Sequence, residues 1–179
     1  YDFSTGLRNI LRQDPNIIMV GEIRDEETAA LVTHAALTGH IVLSTLHTSN
    51  AAGVIPRLID LGVKPYLIPS TLSIAIAQRL VRRLCPDCRK KTKLKKEIQD
   101  LILGEIESLP QELKKESKIT KPFQFFQAGL GCKNCSDGFI GRMAIFEVLQ
   151  MTDALADIIL KEPSEARITE EGKRQGMIT

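Results

Sequence analysis

The most constraining feature of this sequence is an apolar run that ends at a glycine and is followed at once by an acid. Ile17 to Val20 is rich in β-branched residues, and Gly21 and Glu22 come directly after it. Such a run is typical of a strand buried in a parallel sheet, and ligands bind at the carboxyl ends of these strands. We therefore expect an α/β fold in which Glu22 stands at the ligand-binding edge of the sheet.

A second apolar run follows one helix later and opens into a polar segment. Asp25 is the expected N-cap of that helix, Gly39 is its stop, and the next strand is predicted over Ile41 to Thr45. A strand–helix–strand unit crosses over right-handed and leaves its two strands parallel. The two strand ends therefore bring Glu22 and His47 towards the same edge of the sheet.

The rest of the chain is predicted to be mainly helical, with a change of character in the middle. The stretch 90–120 is rich in Lys and Glu, and we predict one or two amphipathic helices on an insertion. The other predicted helices are 5–13, 25–38, one capped by Ser49 or Asn50 and ending at Asp60, 69–78, one capped by Thr152 or Asp153 and ending at Lys161, and a last one capped by Ser164. The other predicted strands are 80–84 and 139–149, with a kink at Gly141.

Length and composition exclude several classes of protein. The 179 residues suffice for one domain or one and a half, and 43% hydrophobic residues with 4% aromatics predict an aliphatic core. A net charge of +2 is too small to indicate nucleic-acid binding by itself. The sequence contains no apolar run of membrane-spanning length and no signal peptide. The abrupt start at Tyr1 and the stop at Thr179 lead us to expect a fragment at both ends.

The four cysteines form two Cys-x-x-Cys pairs, Cys85 with Cys88 and Cys132 with Cys135. Without a secretory signal, such pairs favour a bound metal over disulfides. Two pairs match a tetrahedral Zn²⁺ site, although residues 89–131 separate them farther than in a compact zinc ribbon. Four unrelated buried cysteines are the alternative. A thioredoxin-like redox motif fits less well, because no thioredoxin-like βαβ pattern surrounds the pairs.

Glu22 and His47 are the candidate catalytic residues. In a nucleotide hydrolase, a carboxylate at this edge could serve as a base for water, and an imidazole could bind the terminal phosphate and sense its loss. The alternatives are a solvated loop acid and a surface histidine. The polar segment 44–50 favours function, because a buried strand does not need it to fold. His40 precedes the same strand at its opposite end and His34 lies in mid-helix, so we expect neither at this site.

A basic run extends from the end of the predicted core into the charged stretch. A solvated face is one interpretation, and contact with an acidic partner or anionic lipid headgroups is the other. Aromatic residues are not interleaved, which argues against stacking on single-stranded nucleic acid. The run consists of Arg79, Arg82, Arg83, Arg89, Lys90, Lys91, Lys93, Lys95 and Lys96.

Several of these segments together resemble the type II secretion and type IV pilus assembly ATPases. Residues 11–25 are similar to the Walker B signature of that family, and residues 38–48 to its histidine box. Residues 77–88, with Cys132 and Cys135, are similar to its tetracysteine metal element, and the C-terminal segments follow its pattern as well. The resemblance covers nearly the whole chain except for about residues 90–126. The matching segments are 11–25, 38–48, 77–88 with Cys132 and Cys135, 138–147 and the terminal helices.

The resemblance implies the C-terminal part of a RecA-like P-loop NTPase core, a parallel sheet with flanking helices. Residues 1–84 would be partial core, 85–138 a zinc-binding tetracysteine element with the charged insertion, and 139–179 a strand and helices packing on the core. It also implies site residues for ATP, Mg²⁺ and Zn²⁺. Glu22 would activate or orient the attacking water, and His47 would contact the γ-phosphate. The cofactor-binding positions would be Gly21, Thr45 and His47, and the metal ligands Cys85, Cys88, Cys132 and Cys135.

The partners implied by the resemblance are those of a secretion or pilus motor. The chain would belong to a homo-hexameric ring in the cytoplasm, peripheral at the inner face of the cytoplasmic membrane. The ring would bind an inner-membrane platform protein and other assembly factors. ATP hydrolysis would move pilins or pseudopilins, without specific nucleic acid. The tetracysteine element favours assembly over retraction, since retraction motors of the family generally lack it.

Three departures from the family pattern, and one difference from other P-loop enzymes, limit these expectations. The sequence contains no Gly-x-x-x-x-Gly-Lys-Ser/Thr, so the phosphate-binding loop is missing and we expect no ATP hydrolysis by this chain alone. Gly21 stands where many P-loop enzymes carry the Walker B aspartate, and Asn16 stands where the family commonly has Asp. The insertion between the cysteine pairs is also long. The alternatives are a non-enzymatic zinc-bearing adaptor and a DNA-uptake or translocation motor of the same superfamily.

Overall fold

A computed structural model describes residues 3–108, 111, 114 and 123–178 of the chain. The chain divides into two compact units, residues 1–77 with 146–179 and residues 78–145. None of the helices in the described ranges has the length and apolarity needed to span a membrane. The elements are α1 (Phe3–Leu11), β1 (Ile17–Val20), α2 (Glu26–Leu37), β2 (Ile41–Ser44), α3 (Val54–Asp60), a 3₁₀ turn (Pro65–Leu67), α4 (Ile68–Thr71), β3 (Ile74–Leu84), β4 (Lys90–Thr92), α5 (Lys96–Ser108), β5 (Phe125–Gln127), β6 (Phe139–Gln150), α6 (Asp153–Lys161) and α7 (Glu165–Arg174).

The first unit contains the predicted parallel pair of strands. β1 and β2 are parallel, with Ile17 opposite Ile41 at one end of the pair. The helix between them, α2, begins at its predicted N-cap, because the Asp25 carboxylate accepts a hydrogen bond from Thr28 N at 2.8 Å. Gly39, at φ 94°, follows the end of the helix as expected. The strand–helix–strand unit is therefore confirmed.

The expectation of a strand buried on both faces is wrong for the described part of the chain. Ile18 and Val20 are each 3% exposed, whereas Ile17 is 60% and Met19 is 81% exposed. The outer-face residues of β2, Ile41 among them, are exposed as well. Parallel sheets are normally covered on both faces, and here the described residues cover only one.

The core of the first unit is aliphatic, as the composition indicates. One cluster joins α3, α4, β6 and the two C-terminal helices, and a smaller one joins α1 to β1 and α2. Burial of this apolar surface is the main stabilising contribution to the unit. The largest fully buried aliphatic side chains are Ile55, Ile68, Leu149, Leu155, Ile159 and Ile168.

Two helix predictions in the first unit need correction. The helix predicted over 69–78 is wrong, since α4 ends at Thr71 and the chain is extended from Ile74 to Leu84. β3 pairs with β6, and this long-range pairing outweighs the local preference for a helix. α3 begins at Val54, later than predicted, and Asn50 caps the turn before it by accepting from Gly53 N at 2.7 Å.

The second unit is built on short strands around the cysteines. β4 pairs antiparallel with β5, Lys90 opposite Gln127, so the start of the predicted insertion helix is a strand instead. α5 confirms helix within the insertion, and the prediction for 109–120, apart from 111 and 114, lies outside the described residues. Gly141 of β6 has a φ of 68°, in the region that favours glycine, at the position of the predicted kink.

A buried carboxylate in α7 makes the stability of the first unit depend on pH. Glu171 is 6% exposed, and Arg174 donates to its two oxygens at 2.6 and 2.9 Å. These hydrogen bonds hold the pKa of Glu171 below its usual value. The stabilising contribution is therefore complete above the ordinary carboxyl pKa and is lost as the pH falls through the lower pKa of the folded state.

We predict that Glu171→Gln lowers the free energy of unfolding at neutral pH by about 1–2 kcal/mol, because hydrogen bonds to a charged group are lost. Between about pH 6 and pH 3, the wild type should lose more stability than this variant. Urea unfolding at several pH values measures both effects. The neighbouring exposed Glu170→Gln is the matched control and should follow the wild type. Parallel pH curves for Glu171→Gln and wild type would contradict the prediction.

Candidate functional site

The ends of β1 and β2 bring Glu22 and His47 into direct contact. The two segments stay paired beyond the strands, because Ile23 N donates to Thr45 O at 3.0 Å. Thr45 Oγ1 also donates to Gly21 O at 2.7 Å. Beyond this pairing, His47 Nε2 lies 3.0 Å from Glu22 Oε2. The predicted approach of the two side chains to one edge is therefore confirmed, and the catalytic roles stay predictions.

Arg24 also contacts Glu22 and forms one group with it and His47, although the sequence patterns did not predict this. Its Nη2 lies 2.6 Å from Glu22 Oε1, so the carboxylate is held from both sides. Arg24 had only one signal in the sequence, its place two residues after Glu22 in the turn before α2. An ion pair of this kind depends on side-chain geometry, which a strand and helix pattern does not contain.

The electrostatics of the group favour an ionised Glu22. The hydrogen bond from Arg24 lowers the pKa of Glu22 below its usual value, and the hydrogen bond with His47 acts in the same direction. A carboxylate with a low pKa is charged at neutral pH and is a weak proton acceptor. The arrangement therefore suits a carboxylate that orients a water molecule better than one that removes its proton early.

The other two histidines lie away from this contact. His40 is at the opposite end of β2, where its Nδ1 lies 3.0 Å from Thr38 Oγ1 and 3.1 Å from Ala35 O. His34 is exposed on α2 and lines a small cavity of about 100 Å³ together with Glu26 and Lys64. The two histidines occupy the positions relative to β2 and α2 that the sequence predicts.

The four cysteines of the second unit converge on one point. Their sulfur atoms all lie within 4.8 Å of one another. The Sγ–Sγ distances are 3.8 Å for Cys85–Cys132, 3.4 Å for Cys88–Cys135 and 3.7 Å for Cys132–Cys135. A tetrahedral Zn²⁺ with Zn–S bonds of about 2.3 Å separates its sulfur ligands by about 3.8 Å. The donor set and its spacing therefore fit Zn²⁺.

The thiols of this cluster do not ionise independently. Hydrogen bonding with the Cys135 thiol, with burial, raises the pKa of Cys88 to about 12, and burial raises the pKa of Cys135. Burial also acts on Cys85, but hydrogen bonds, the first from Asp87 N–H, outweigh it and lower its pKa. Zn²⁺ binds the thiolate form of cysteine, so metal binding at this cluster would release protons.

Tight turns and side-chain pairs surround the cysteines. A Cβ on Gly129 would lie 2.2 Å from Cys88 O, so only glycine fits there. Asn134 Nδ2 donates to Asp87 Oδ2 at 2.6 Å and links the two Cys-x-x-Cys turns.

Part of the basic run makes contacts within the second unit. Arg82 pairs with Asp137 and lies over the ring of Phe139. Arg89 lies similarly over Phe126. Part of the run is thus structural.

Comparison with known families supports the resemblance seen in the sequence. The profile of the type II/IV secretion system protein family matches residues 1–178. The chain is 41% identical over 177 residues to the type IV pilus assembly ATPase PilB of Myxococcus xanthus, covering 98% of this chain and 29% of that protein. It is 46% identical over 164 residues to the type II secretion system ATPase E of Vibrio cholerae, covering 91% and 30%. The chain spans about 30% of the length of these curated relatives.

Solved structures agree at the level of the fold. The pilus retraction motor PilT with bound ADP superposes with a TM-score of 0.60 at 22% identity, over 99% of this chain and 41% of that one. The ATPase DotB of Legionella pneumophila gives a TM-score of 0.53 at 24% identity, over 99% and 40%. The α/β ATPase fold expected from the sequence is therefore confirmed in outline, with a small sheet in the described part of the chain.

Proposed function

Because the chain belongs to the type II/IV secretion system protein family, we propose that it forms the C-terminal part of a motor ATPase for type IV pilus assembly or type II secretion. The names of its relatives, a pilus assembly ATPase and a type II secretion ATPase, support ATP hydrolysis in these two systems. The observation that carries the proposal is the contact of Glu22 with His47 at the ends of two parallel strands. This edge is where nucleotide-binding sheets of this kind hold their ligands.

We assign the chemistry of this edge to two side chains. Glu22, ionised at neutral pH, orients the attacking water, and His47 donates a hydrogen bond to the terminal phosphate of ATP. Thr45 and Gly21 fix the distance between the two segments through their 2.7 Å hydrogen bond. Bound Mg²⁺ would neutralise phosphate charge. Its ligands would lie outside this group, since Gly21 has no side chain to offer.

We assign a structural Zn²⁺ to the second unit. Four cysteine sulfurs fill a tetrahedral shell, which leaves no open position for water or substrate. The fit of the sulfur spacing supports this assignment. In this proposal all the chemistry lies at Glu22 and His47, and the cysteines hold the second unit together.

The wider setting is proposed from the family resemblance. We propose a homo-hexameric ring on the cytoplasmic face of the inner membrane, bound to a platform protein and to other assembly factors, without specific nucleic acid. The cysteine cluster supports assembly over retraction. A zinc-bearing adaptor without activity is the second candidate, favoured by one feature, the missing Gly-x-x-x-x-Gly-Lys-Ser/Thr. A phosphate-loop lysine in the full-length protein would decide against the adaptor.

We predict that the 179-residue chain alone binds ATP negligibly, whereas the full-length protein binds and hydrolyses it. The backbone amides and the lysine of a phosphate-binding loop supply most contacts to the phosphates, and this sequence lacks them. Calorimetric titration with Mg·ATP should show no saturable binding to the chain at millimolar nucleotide. Submicromolar affinity of the isolated chain, or a full-length protein without ATP turnover, would contradict the proposal.

A further inference from the structure

The segment that carries His47 is fastened to distant parts of the first unit by two carboxylates. Glu147, in β6, accepts a hydrogen bond from Ala51 N at 2.8 Å, across 96 residues of sequence. Glu165, at the start of α7, accepts one from Asn50 Nδ2 at 2.8 Å, across 115 residues. The two contacts fall at the last residue of the polar segment 44–50 and at the residue after it. The C-terminal part of the unit therefore holds the end of this segment.

The contact of Glu147 is the more constraining of the two. Ala51 is 0% exposed, so its N–H has no access to bulk water and needs a partner within the protein. Ala51 precedes α3, and the Glu147 carboxylate satisfies this donor. Asn50 is fixed as well, because its Oδ1 accepts from Gly53 N at 2.7 Å while its Nδ2 contacts Glu165. Loss of Glu147 would leave a buried donor unpaired and release the backbone there.

His47 lies between this attachment and the one at the end of β2. On the strand side, Thr45 is bound to Gly21 and Ile23 by the hydrogen bonds that extend the strand pairing. The His47 side chain is 83% exposed, so packing does not hold it in place. The position of its imidazole relative to Glu22 therefore depends on how firmly the backbone on both sides is held.

We propose that Glu147 is a positioning residue for His47, acting through the Ala51 N–H, with the Glu165–Asn50 contact as its second support. The proposal rests on the proposed ATPase function and adds a residue beyond Glu22, His47 and Arg24. Catalysis is sensitive to such support, because a displacement of about 1 Å at a reacting group can cost about a hundredfold in rate.

The test is steady-state ATP hydrolysis by the full-length protein with three variants. Glu147→Ala should lower kcat by about tenfold to a hundredfold while changing the KM for ATP much less, because positioning is lost and binding is retained. Glu147→Gln should restore most of the rate, since its amide oxygen can accept from Ala51 N–H. Glu170→Ala, an exposed glutamate of α7, is the matched control and should match the wild type.

Hydrogen exchange on the 179-residue chain gives a second measurement. Exchange across residues 46–53 should quicken in Glu147→Ala and stay at the wild-type level in Glu147→Gln. A kcat for Glu147→Ala within about twofold of wild type, or a Gln variant as slow as the Ala variant, would overturn the positioning role. Such a result with an active wild type would leave the ATPase function standing. A wild type that hydrolyses no ATP would overturn both.

Discussion

Replacing Glu22 with Gln in the full-length protein should lower ATP hydrolysis by about 10² or more, because a positioned catalytic carboxylate is lost. Glu22 is ionised and held by Arg24 and His47, so it presents a fixed negative charge to a water molecule. Gln keeps the size of the side chain and removes the charge. Nucleotide affinity should survive, because the substitution removes a negative charge near the phosphates.

Phosphate release at saturating Mg·ATP measures this effect. Glu97→Gln, an exposed glutamate of α5, is the matched control and should retain the wild-type rate. Thermal unfolding of both variants would show that the fold is intact. Hydrolysis by Glu22→Gln within a few-fold of wild type would mean that Glu22 has no catalytic role.

Removing Zn²⁺ should loosen the second unit and leave the first nearly unchanged. Structural zinc in small domains contributes about 10–16 kcal/mol of apparent binding free energy, which is also folding free energy. The cysteine cluster joins residues near 85 to residues near 132 and closes a long loop with a charged sequence in its middle. Without metal, the raised pKa values of Cys88 and Cys135 leave protonated thiols with only weak mutual contacts.

Elemental analysis of protein purified without chelator should give one Zn²⁺ per chain. After metal removal, or in Cys135→Ser, hydrogen exchange should quicken in 84–108 and 123–139 while the pair of strands 17–20 and 41–44 stays protected. Ser136→Ala, next to the changed cysteine, is the matched control and should keep its metal. Protein without bound metal, or equal exchange in both regions after removal, would count against a structural zinc site.

The parts of the fold that the sequence predicts are those governed by local pattern. β1, α2 and β2 appear as expected, because apolar runs, the Asp25 cap and the Gly39 stop all act over a few residues. The contact of Glu22 with His47 follows from the same unit, since parallel strands end at one edge. The convergence of the cysteines was predictable from their spacing, because two Cys-x-x-Cys pairs in one chain match a shared tetrahedral site.

The parts that the sequence does not predict depend on contacts between distant residues. The strand predicted over 80–84 is present, but residues 74–78, predicted to be helical, instead belong to the same strand, which pairs with β6. The strand Lys90–Thr92 likewise depends on β5, which begins 33 residues after it. The contacts of Arg24 with Glu22 and of Glu147 with Ala51 depend on side-chain geometry across the fold. No short motif carries such information.

The nucleotide held by the full-length Glu22→Gln protein tests the central claim most directly. The protein would be incubated with Mg·ATP, separated from free nucleotide and denatured, and the released nucleotide would be identified by chromatography. If Glu22 at the end of β1 is the catalytic carboxylate of an ATPase, the variant retains ATP while the wild type contains ADP. Equal amounts of ADP in the two proteins, or no bound nucleotide in either, would contradict the account.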